Sequence, residues 1–432
     1  MAAARTVDER VNEAAFGIPS QKHKRSLPGQ QRASYLRPRT APEPAGIMRP
    51  RPPRAQACPI GRTPSCGLSL PVACLGTVTS AVTAWERQAK EVLVQRLRRS
   101  VVGCVVLALD GLIAVPVASA ATRLGAASRP TAVISVPAYI TTGPDGALWF
   151  TNLGNKTNRG SIGRITTSGK VTVYAGRGID APAGIALGPD GALWFTNSAG
   201  GSIGRITTSG KLSDFSATGI ANPIGITRGP GGDLWFTDAY NPGSFGLIST
   251  GGNIIIHTSK YIDDPAGITI GPDGDVWVAN AGTSATKGSI AQLTTNGRIR
   301  VYTNSGLDEP LGITVGPDKA IWFTNYGGNS IGRITTDGEG RLFTGTGINE
   351  PDSITTGPDG ALWFTNYGGN SIGRVTTSGR VTNYTGTGID GPVGITTGPD
   401  RALWFTNSKN NSIGRITTGG KVTNYTGTKP QS

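Results

Sequence analysis

Two aspartates interrupt a repeated pattern whose equivalent positions are otherwise uncharged. Asp238 ends one copy of a segment that reads W-F-T-N in most of the other copies, so it stands where they carry asparagine. Asp352 follows the proline of a recurring P-x-G-I segment, where the other copies have Ala, Ile, Leu or Val. A carboxylate can act as a general base or bind a divalent cation. Asp238 and Asp352 are therefore candidate catalytic residues, and Asp238 is also a candidate metal ligand.

Tyrosines and asparagines near the same positions are candidates for ligand binding. Tyr326 and Tyr367 each follow the segment-ending asparagine in two identical stretches, F-T-N-Y-G-G-N-S-I-G-R, and Tyr240 lies two residues after Asp238. Tyrosine rings can stack on a sugar or a peptide ring while their hydroxyls stay hydrated. The uncharged polar partners would be Asn325, Asn366 and Asn407. The alternative is structural: the tyrosines cover the channel, and asparagine at a strand end bonds nearby backbone.

A sevenfold internal repeat must position these residues. Copies of G-P-D-G-A-L-W-F-T-N or a close variant begin 41 to 45 residues apart, at Gly143, Gly188, Gly229, Gly271, Gly316, Gly357 and Gly398. That period is typical of a four-stranded propeller blade. Each copy divides into four short extended segments separated by Pro-Asp-Gly, Gly-Gly or Ser-Gly turns. One tryptophan per copy is expected to pack between neighbouring blades.

The predicted fold is all-β, a seven-bladed β-propeller over residues 132–428 with four strands in each blade. Closure of the ring is open, because the seventh copy already has its own fourth strand, and residues 132–136 could add a closing strand or simply lead in. If the first strand of each blade lines the channel, its start and the end of the antiparallel second strand lie at the same mouth. The residues after the P-x-G-I prolines then form one ring there, and the residues that end the second strands form another. The arginines of the I-G-R segments recur in most copies and are expected to be structural.

The residues before the repeat differ in composition. Residues 1–90 form a basic leader rich in Pro and Arg that is expected to be disordered, or to result from a misassigned translation start. Residues 1–130 contain 19 Lys and Arg against 7 Asp and Glu, whereas residues 131–432 contain 22 against 20. The net charge of +14 is therefore mostly a property of the leader. This argues against nucleic-acid binding by the propeller.

Residues 91–121 resemble a secretory signal. A basic cluster precedes an apolar stretch, and Ala118 and Ala120 form an A-x-A cleavage site. Cleavage would leave a secreted or extracytoplasmic chain that begins near Ala121, with no stable membrane span. Asp110 interrupts the apolar stretch, so an uncleaved anchor is the poorer alternative. The four cysteines all precede Ala121 and lack zinc-site spacing.

The repeat P-x-G-I-T-x-G-P-D-G-x-L-W-F-T-x, followed by N-x-I-G-R-I-T-x-x-G, resembles the virginiamycin B lyase (streptogramin B lyase) family over residues 132–428. The resemblance implies a seven-bladed propeller and a Mg²⁺-assisted elimination that opens the ester of a cyclic depsipeptide antibiotic. It places catalytic histidines after the proline of P-x-G-I in two blades and a catalytic glutamate at the end of a W-F-T-E strand. This chain has neither. Its two histidines are His23 in the leader and His257 in a predicted outer strand.

Three functions remain open. The first is a secreted propeller that binds a small molecule, glycan or peptide at the channel mouth without the family's usual catalytic residues. The second is an active streptogramin B lyase that uses Mg²⁺ and another base, with Asp238 or Asp352 as candidates. The third is a metal-dependent propeller lactonase or other hydrolase, in which Asp238 and Asn197 or Asn280 hold a divalent cation. The fold alone does not decide among them.

Overall fold

Seven antiparallel sheets, each built from one copy of the repeat, form the computed structural model of the protein. It describes residues 5–10, 122–126, 134–154, 159–239, 243–283 and 286–427. The sequence predicted seven blades of four strands, and the sheet order confirms this.

The strands follow one another along the chain with little else between them. Two strands precede the ring, β1 (Arg5–Arg10) and β2 (Thr122–Ala126). Blade one contains β3 (Pro137–Thr142), β4 (Leu148–Asn152), β5 (Ser161–Ile165) and β6 (Val171–Tyr174). Blade two contains β7 (Pro182–Leu187), β8 (Leu193–Asn197), β9 (Ser202–Ile206) and β10 (Lys211–Phe215). Blade three contains β11 (Pro223–Arg228), β12 (Leu234–Asp238), β13 (Ser244–Ile248) and β14 (Ile254–Thr258), with a 3₁₀ turn at Pro230–Gly232.

The remaining blades repeat this order. Blade four contains β15 (Pro265–Ile270), β16 (Val276–Asn280), β17 (Ser289–Leu293) and β18 (Arg298–Thr303). Blade five contains β19 (Pro310–Val315), β20 (Ile321–Asn325), β21 (Ser330–Ile334) and β22 (Gly340–Phe343). Blade six contains β23 (Pro351–Thr356), β24 (Leu362–Asn366), β25 (Ser371–Val375) and β26 (Val381–Tyr384). Blade seven contains β27 (Pro392–Thr397), β28 (Leu403–Asn407), β29 (Ser412–Ile416) and β30 (Val422–Tyr425).

Parts of the sequence before the repeat also pair with the blades. Strand β2 is antiparallel to β10, the outer strand of blade two, and β1 is antiparallel to β18, the outer strand of blade four. Residues 5–10 of the predicted leader are therefore extended, while residues 11–121, with the signal-like segment, lie outside the described residues. In the part of the chain that the structure describes, no helix has the length and apolar character needed to cross a membrane.

The ring is closed between blades seven and one. The first strand of each blade contacts the first strand of the next, and β27 contacts β3. The Thr406 hydroxyl donates to the carbonyl of Ala138 at 2.6 Å across this junction. Ile134, in the lead-in segment, is buried against Trp404 and Tyr425 without forming a strand. Each end blade supplies its own four strands, so residues 134–136 lead in and do not close the ring as a strand.

Threonines near the ends of the second strands join successive blades. In six blades the threonine hydroxyl donates to a carbonyl in the first strand of the next blade, at 2.6 to 2.8 Å; the donors are Thr151, Thr196, Thr237, Thr324, Thr365 and Thr406. Blade four has Ala279 at this position. At six of the seven junctions, a short hydrogen bond therefore joins the second strand of one blade to the first, innermost strand of the next, which we call the inner strand.

The tryptophans pack between blades, as predicted. Trp149 is fully buried, stacks on Tyr174 of its own blade at 5.5 Å, and contacts the Ile185 and Phe195 side chains of blade two. Its indole N–H donates to Asp145 at 3.0 Å. A Cβ on Gly143 would lie 2.4 Å from the indole ring, so the turn requires glycine there.

The turns after the first and third strands of each blade form one face of the propeller, which we call the turn face. On this face an ion pair holds the carboxylate that bonds the tryptophan. In blade one, Arg164 Nε donates to Asp145 Oδ2 at 2.6 Å. Equivalent pairs are Arg205 with Asp190, Arg333 with Asp318, Arg374 with Asp359, and Arg415 with Asp400. The predicted structural role of the I-G-R arginines is confirmed, because each one orients the carboxylate that receives the indole N–H.

Blade four replaces the arginine of this arrangement with Gln292. The Gln292 amide donates to Asp273 at 3.1 Å and to Asp275 at 2.7 Å, and it accepts a hydrogen bond from the Tyr302 hydroxyl at 2.6 Å. Burial, together with the charge of Asp273, raises the pKa of Asp275. This deviation of blade four, visible in the sequence, thus exchanges an ion pair for a neutral bridge between two carboxyl groups.

The five Asp–Arg pairs should make the propeller acid-sensitive. Partial burial alone would raise the pKa of Asp359, but the Trp363 N–H and the Arg374 guanidinium together hold it below its ordinary value of 3.8. A carboxyl group with a lowered folded-state pKa stabilises the fold above the unfolded-state value, and this stability is lost as pH falls through the folded-state pKa. We expect urea midpoints to fall as the pH is lowered from 5 to 2.

The matching variant separates these pairs from other acid effects. Replacing Asp359 and Asp400 by asparagine should lower the free energy of unfolding at pH 6 and flatten its decline below pH 4. Because these pairs are partly exposed, each is expected to contribute only about 0.5–1 kcal/mol. An equally steep acid decline in wild type and variant would show that the pairs do not cause the sensitivity.

Candidate functional site

The two predicted rings of residues lie at the same end of the channel. In each blade the proline that begins the first strand is paired with the residue that ends the second strand, for example Pro351 with Asn366 and Pro223 with Asp238. We call this end the mouth face. Loops between second and third strands, and the connections from each blade into the next, form its surface.

The asparagines of the second ring are buried inside their blades. The Asn325, Asn366 and Asn407 side chains are 0% exposed. Asn407 illustrates their contacts: its oxygen accepts the Asp390 N–H at 3.1 Å, and its amide donates to the Gly388 carbonyl at 2.7 Å and to Ser412 at 3.0 Å. These three candidate ligand-binding residues therefore hold the connection between neighbouring blades in place, which is the structural alternative considered from the sequence.

Asp238 takes the same position in blade three with a different set of donors. It is 1% exposed, and its two oxygens accept the backbone N–H groups of Ala221 at 2.9 Å and Asn222 at 2.8 Å. Asn197, in the neighbouring blade, likewise uses its oxygen to accept the Asp180 N–H at 3.0 Å. The Asp238 and Asn197 oxygens thus each accept a backbone hydrogen bond, whereas the buried Asn280 Oδ1 accepts none from the described residues.

Asp352 is the second residue of the inner strand of blade six and is also 1% exposed. It lies three blades away from Asp238, so the structure does not bring the two candidate catalytic carboxylates together. Among the described residues, no group of three or more His, Cys, Asp or Glu side chains could hold a metal ion. The donor set around Asp238 does not fit Mg²⁺ or another divalent cation.

Tyr326 and Tyr367 each reach the next blade across the mouth face. Tyr326 is 8% exposed, and its hydroxyl donates to the Glu350 carboxylate at 3.0 Å. Tyr367 is half-buried, and the Lys409 ammonium lies over its ring at 4.5 Å from the centroid. The tyrosines are thus equivalent in the repeat but have partners of opposite charge. The third candidate, Tyr240, lies outside the described residues.

Glu350 and Lys409 connect these contacts into a continuous polar strip. A Cβ on Gly368, the residue after Tyr367, would lie 2.9 Å from the Glu350 carboxyl carbon. A Cβ on Gly391 would lie 2.6 Å from the stem of Lys409. We call Tyr326, Glu350, Tyr367 and Lys409 the mouth strip; it spans blades five to seven. Sequence reasoning missed Glu350 and Lys409. Lys409 breaks the repeat in the loop after the second strand of blade seven, whereas Glu350 stands before the inner strand of blade six as Glu309 does in blade five.

The inner strands carry a second break in symmetry. The third residue of P-x-G-I is glycine in five blades, and in blade two a Cβ at Gly184 would lie 2.4 Å from the Ile224 carbonyl oxygen of the next blade. Blade one has Tyr139 and blade six has Ser353 at this position, and both are half-buried. Their backbone N–H groups still donate to Thr151 and Thr365, each at 3.0 Å. Sequence reasoning missed this pair because it considered only the preceding residue.

His257 belongs to neither ring of the mouth face. It belongs to β14, the outer strand of blade three, is 6% exposed, and stacks on Phe245 at 5.6 Å. The predicted placement of His257 in an outer strand is confirmed. Apart from Asp352 in blade six, the first ring consists of apolar residues: Ala138, Ala183, Ile224, Ala266, Leu311 and Val393.

Comparison with known proteins identifies the scaffold. A model of the virginiamycin B lyase family matches residues 128–287 and 281–432. A streptogramin B lyase structure is 31% identical with a TM-score of 0.58, covering 67% of this chain and 95% of its own. Virginiamycin B lyase from Staphylococcus aureus is 32% identical with a TM-score of 0.58, covering 69% of this chain and 99% of its own.

A further solved structure contains a ligand. It is a catalytically inactive histidine-to-alanine variant of the Staphylococcus aureus enzyme with quinupristin, 32% identical with a TM-score of 0.58, covering 67% of this chain and 96% of its own. No curated protein matches the chain. Because the family model spans the whole propeller and these lyase structures share its seven-bladed ring, the chain belongs to the virginiamycin B lyase family.

Proposed function

We propose that this protein binds a small polar ligand with a ring, a sugar or a short peptide, at the mouth strip, and that it does so without the elimination reaction of the lyases. The observation that carries the proposal is the strip itself. Tyr367, Glu350 and Lys409 place an aromatic face, a carboxylate and an ammonium group beside one another on blades six and seven.

The three groups suit complementary parts of one ligand. A carboxylate such as Glu350 accepts hydrogen bonds from hydroxyl or amide groups, and the Lys409 ammonium donates to a carboxylate. A tyrosine ring adds apolar area and a preferred stacking geometry. Sites that bind small ligands commonly combine aromatic surface with a few polar groups that fix orientation. A sugar or peptide that carries a carboxylate matches this set.

Export is part of the proposal and is supported by the signal-like segment at residues 91–121. N-terminal sequencing of the native protein should give a mature chain that begins near Ala121. A peptide from residues 1–85 in the purified native protein would contradict export by cleavage at this site.

An active lyase is the second candidate, since the chain belongs to the lyase family and Asp352 occupies the x of P-x-G-I, the position at which the resemblance places histidines in two blades. A general base must reach the proton that it removes, and Asp352 is 1% exposed. Asp238 and its neighbours do not fit Mg²⁺, since the described residues include no group of three or more metal-ligating side chains. The lactonase hypothesis required Asp238 to converge with Asn197 or Asn280, and the backbone hydrogen bonds of Asp238 and Asn197 do not favour it.

One experiment separates the first two candidates. The full chain is titrated by calorimetry with muramyl dipeptide, which joins a sugar, a peptide and a carboxylate, and with uncharged chitotetraose. In parallel, it is incubated with a type B streptogramin and Mg²⁺, and ring opening is followed by mass spectrometry. We expect binding of muramyl dipeptide and no linearised antibiotic. A linearised product that disappears in Asp352→Asn would instead establish the lyase.

Two matched lysine variants test the mouth strip. Lys409→Ala should weaken muramyl dipeptide binding about tenfold or more, as expected when a charged hydrogen bond is lost. Lys260→Ala is the control, because Lys260 also lies over a tyrosine, Tyr261, at 5.0 Å, but on the connection between blades three and four. Equal affinities for both variants and wild type would place the ligand elsewhere.

A further inference from the structure

Charge is distributed unequally between the two faces of the propeller. The turn face carries exposed basic side chains next to its turns: Lys170, Lys211, Arg228, Lys319, Arg341, Arg380, Arg401 and Lys421. On the mouth face, acidic residues lie one or two positions before several inner strands: Asp180, Asp263, Asp308, Glu350 and Asp390. Exposed basic side chains are fewer on this face: Arg159, Arg177, Lys260, Lys287 and Lys409. The net charge of the repeat region is near zero, so the sequence total conceals this separation.

The eight basic side chains of the turn face form no ion pair with a residue that the structure describes. The five I-G-R arginines already pair with one turn aspartate in each of five blades, so these aspartates do not balance the eight exposed charges. Among the described residues of this face, the exposed acids that pair with no I-G-R arginine are Asp273 in blade four and Asp337 and Glu339 in blade five. The turn face is therefore positive around most of the ring.

The arrangement of these charges indicates the form of the partner. They belong to blades one, two, three, five, six and seven, and all lie at turns or strand ends on one side of the ring. A planar anionic surface can approach all of them together, whereas a linear polymer crosses only part of a ring. We propose that the turn face binds an anionic lipid surface. The acidic inner-strand connections of the other face would be repelled, so the mouth would point away from the lipid.

Electrostatic attraction accounts for the expected strength. Each Lys or Arg close to an anionic membrane contributes about a fivefold increase in binding. The attraction falls off over a Debye length, which is about 10 Å at 0.1 M salt and about 4 Å near 0.5 M. Binding should therefore be strong at 0.1 M NaCl and largely lost at 0.5 M.

The test compares two variants of the full chain with the same loss of charge on opposite faces. The turn-face variant is Lys170→Gln, Arg380→Gln and Lys421→Gln; the mouth-face control is Lys260→Gln, Lys287→Gln and Arg177→Gln. All six residues are exposed. Co-sedimentation with vesicles of phosphatidylcholine and phosphatidylglycerol at 7:3 gives the partition coefficient. We expect about a hundredfold decrease for the turn-face variant and less than a threefold decrease for the control.

Each alternative outcome has a clear meaning. The basic leader is the same in all three proteins, so a difference between the variants reports the face. Equal binding by wild type and both variants, or equal weakening of both variants, would overturn the proposal. Binding of soluble polyphosphate through the turn face without co-sedimentation would overturn it in favour of a linear polyanion. Unchanged thermal midpoints in both variants establish that the comparison involves folded protein.

Discussion

Trp363→Ala should lower the free energy of unfolding by about 3–5 kcal/mol. The side chain is fully buried, stacks on Tyr384 at 5.2 Å, and packs against Ile395 and Leu403 of blade seven. Removing it leaves a cavity between two blades and takes the indole donor, at 2.9 Å, away from Asp359. Urea unfolding followed by far-ultraviolet circular dichroism measures the loss.

Trp363→Phe separates the two contributions. Phenylalanine keeps most of the buried apolar area but cannot donate to Asp359, so we expect a loss of about 1–2 kcal/mol. If alanine cost less than about 1 kcal/mol, the tryptophans would not hold the blades together, since large buried side chains normally cost several times more.

Asn407→Ala should be similarly destabilising, by about 3–5 kcal/mol, because several buried polar groups lose their partners at once. These are the Asp390 N–H, the Gly388 carbonyl and the Ser412 hydroxyl, at 2.7 to 3.1 Å from the amide. The bonds join the second and third strands of blade seven to the connection that enters it. The melting temperature measured by calorimetry should fall accordingly.

Asp238→Asn provides the matched control for this ring. Asp238 accepts two backbone N–H groups in blade three, whereas asparagine has one acceptor oxygen, so we expect a loss of only about 1–2 kcal/mol. Asn407→Ala should also leave Lys409-dependent binding of muramyl dipeptide unchanged in the folded protein. If Asn407→Ala lost affinity for muramyl dipeptide while its stability stayed unchanged, Asn407 would instead be a ligand-binding residue.

In this propeller, the residues that stabilise the fold and the residues that could bind a ligand lie in different places. The recurring Trp, Asp, Arg and Thr contacts lie at blade junctions and on the turn face, and they are repeated with little change. The residues that break the repeat, including Tyr139, Asp352 and Lys409, lie near the channel or the mouth face. Substitutions there alter few of the contacts between blades, so a lyase propeller can lose its histidines and keep its fold.

The sequence by itself determined the number of blades, the four strands of each blade, the tryptophan packing and the structural role of the I-G-R arginines. These properties repeat, and a period of 41 to 45 residues with alternating apolar side chains and fixed turns leaves little freedom. The sequence also identified the two rings, because antiparallel pairing places the start of one strand beside the end of the next.

Tertiary structure decided what the rings do. Sequence placed Asn325, Asn366 and Asn407 at the mouth, but only the packed connections show that they are fully buried and bond backbone groups and neighbouring side chains. The mouth strip joins Tyr326 with Glu350 and Tyr367 with Lys409, residues of different repeats that meet only when blades close around the channel. Charge separation between the faces arises in the same way. Such contacts depend on side chains brought together from distant parts of the chain, and a repeat pattern carries no information about their distances.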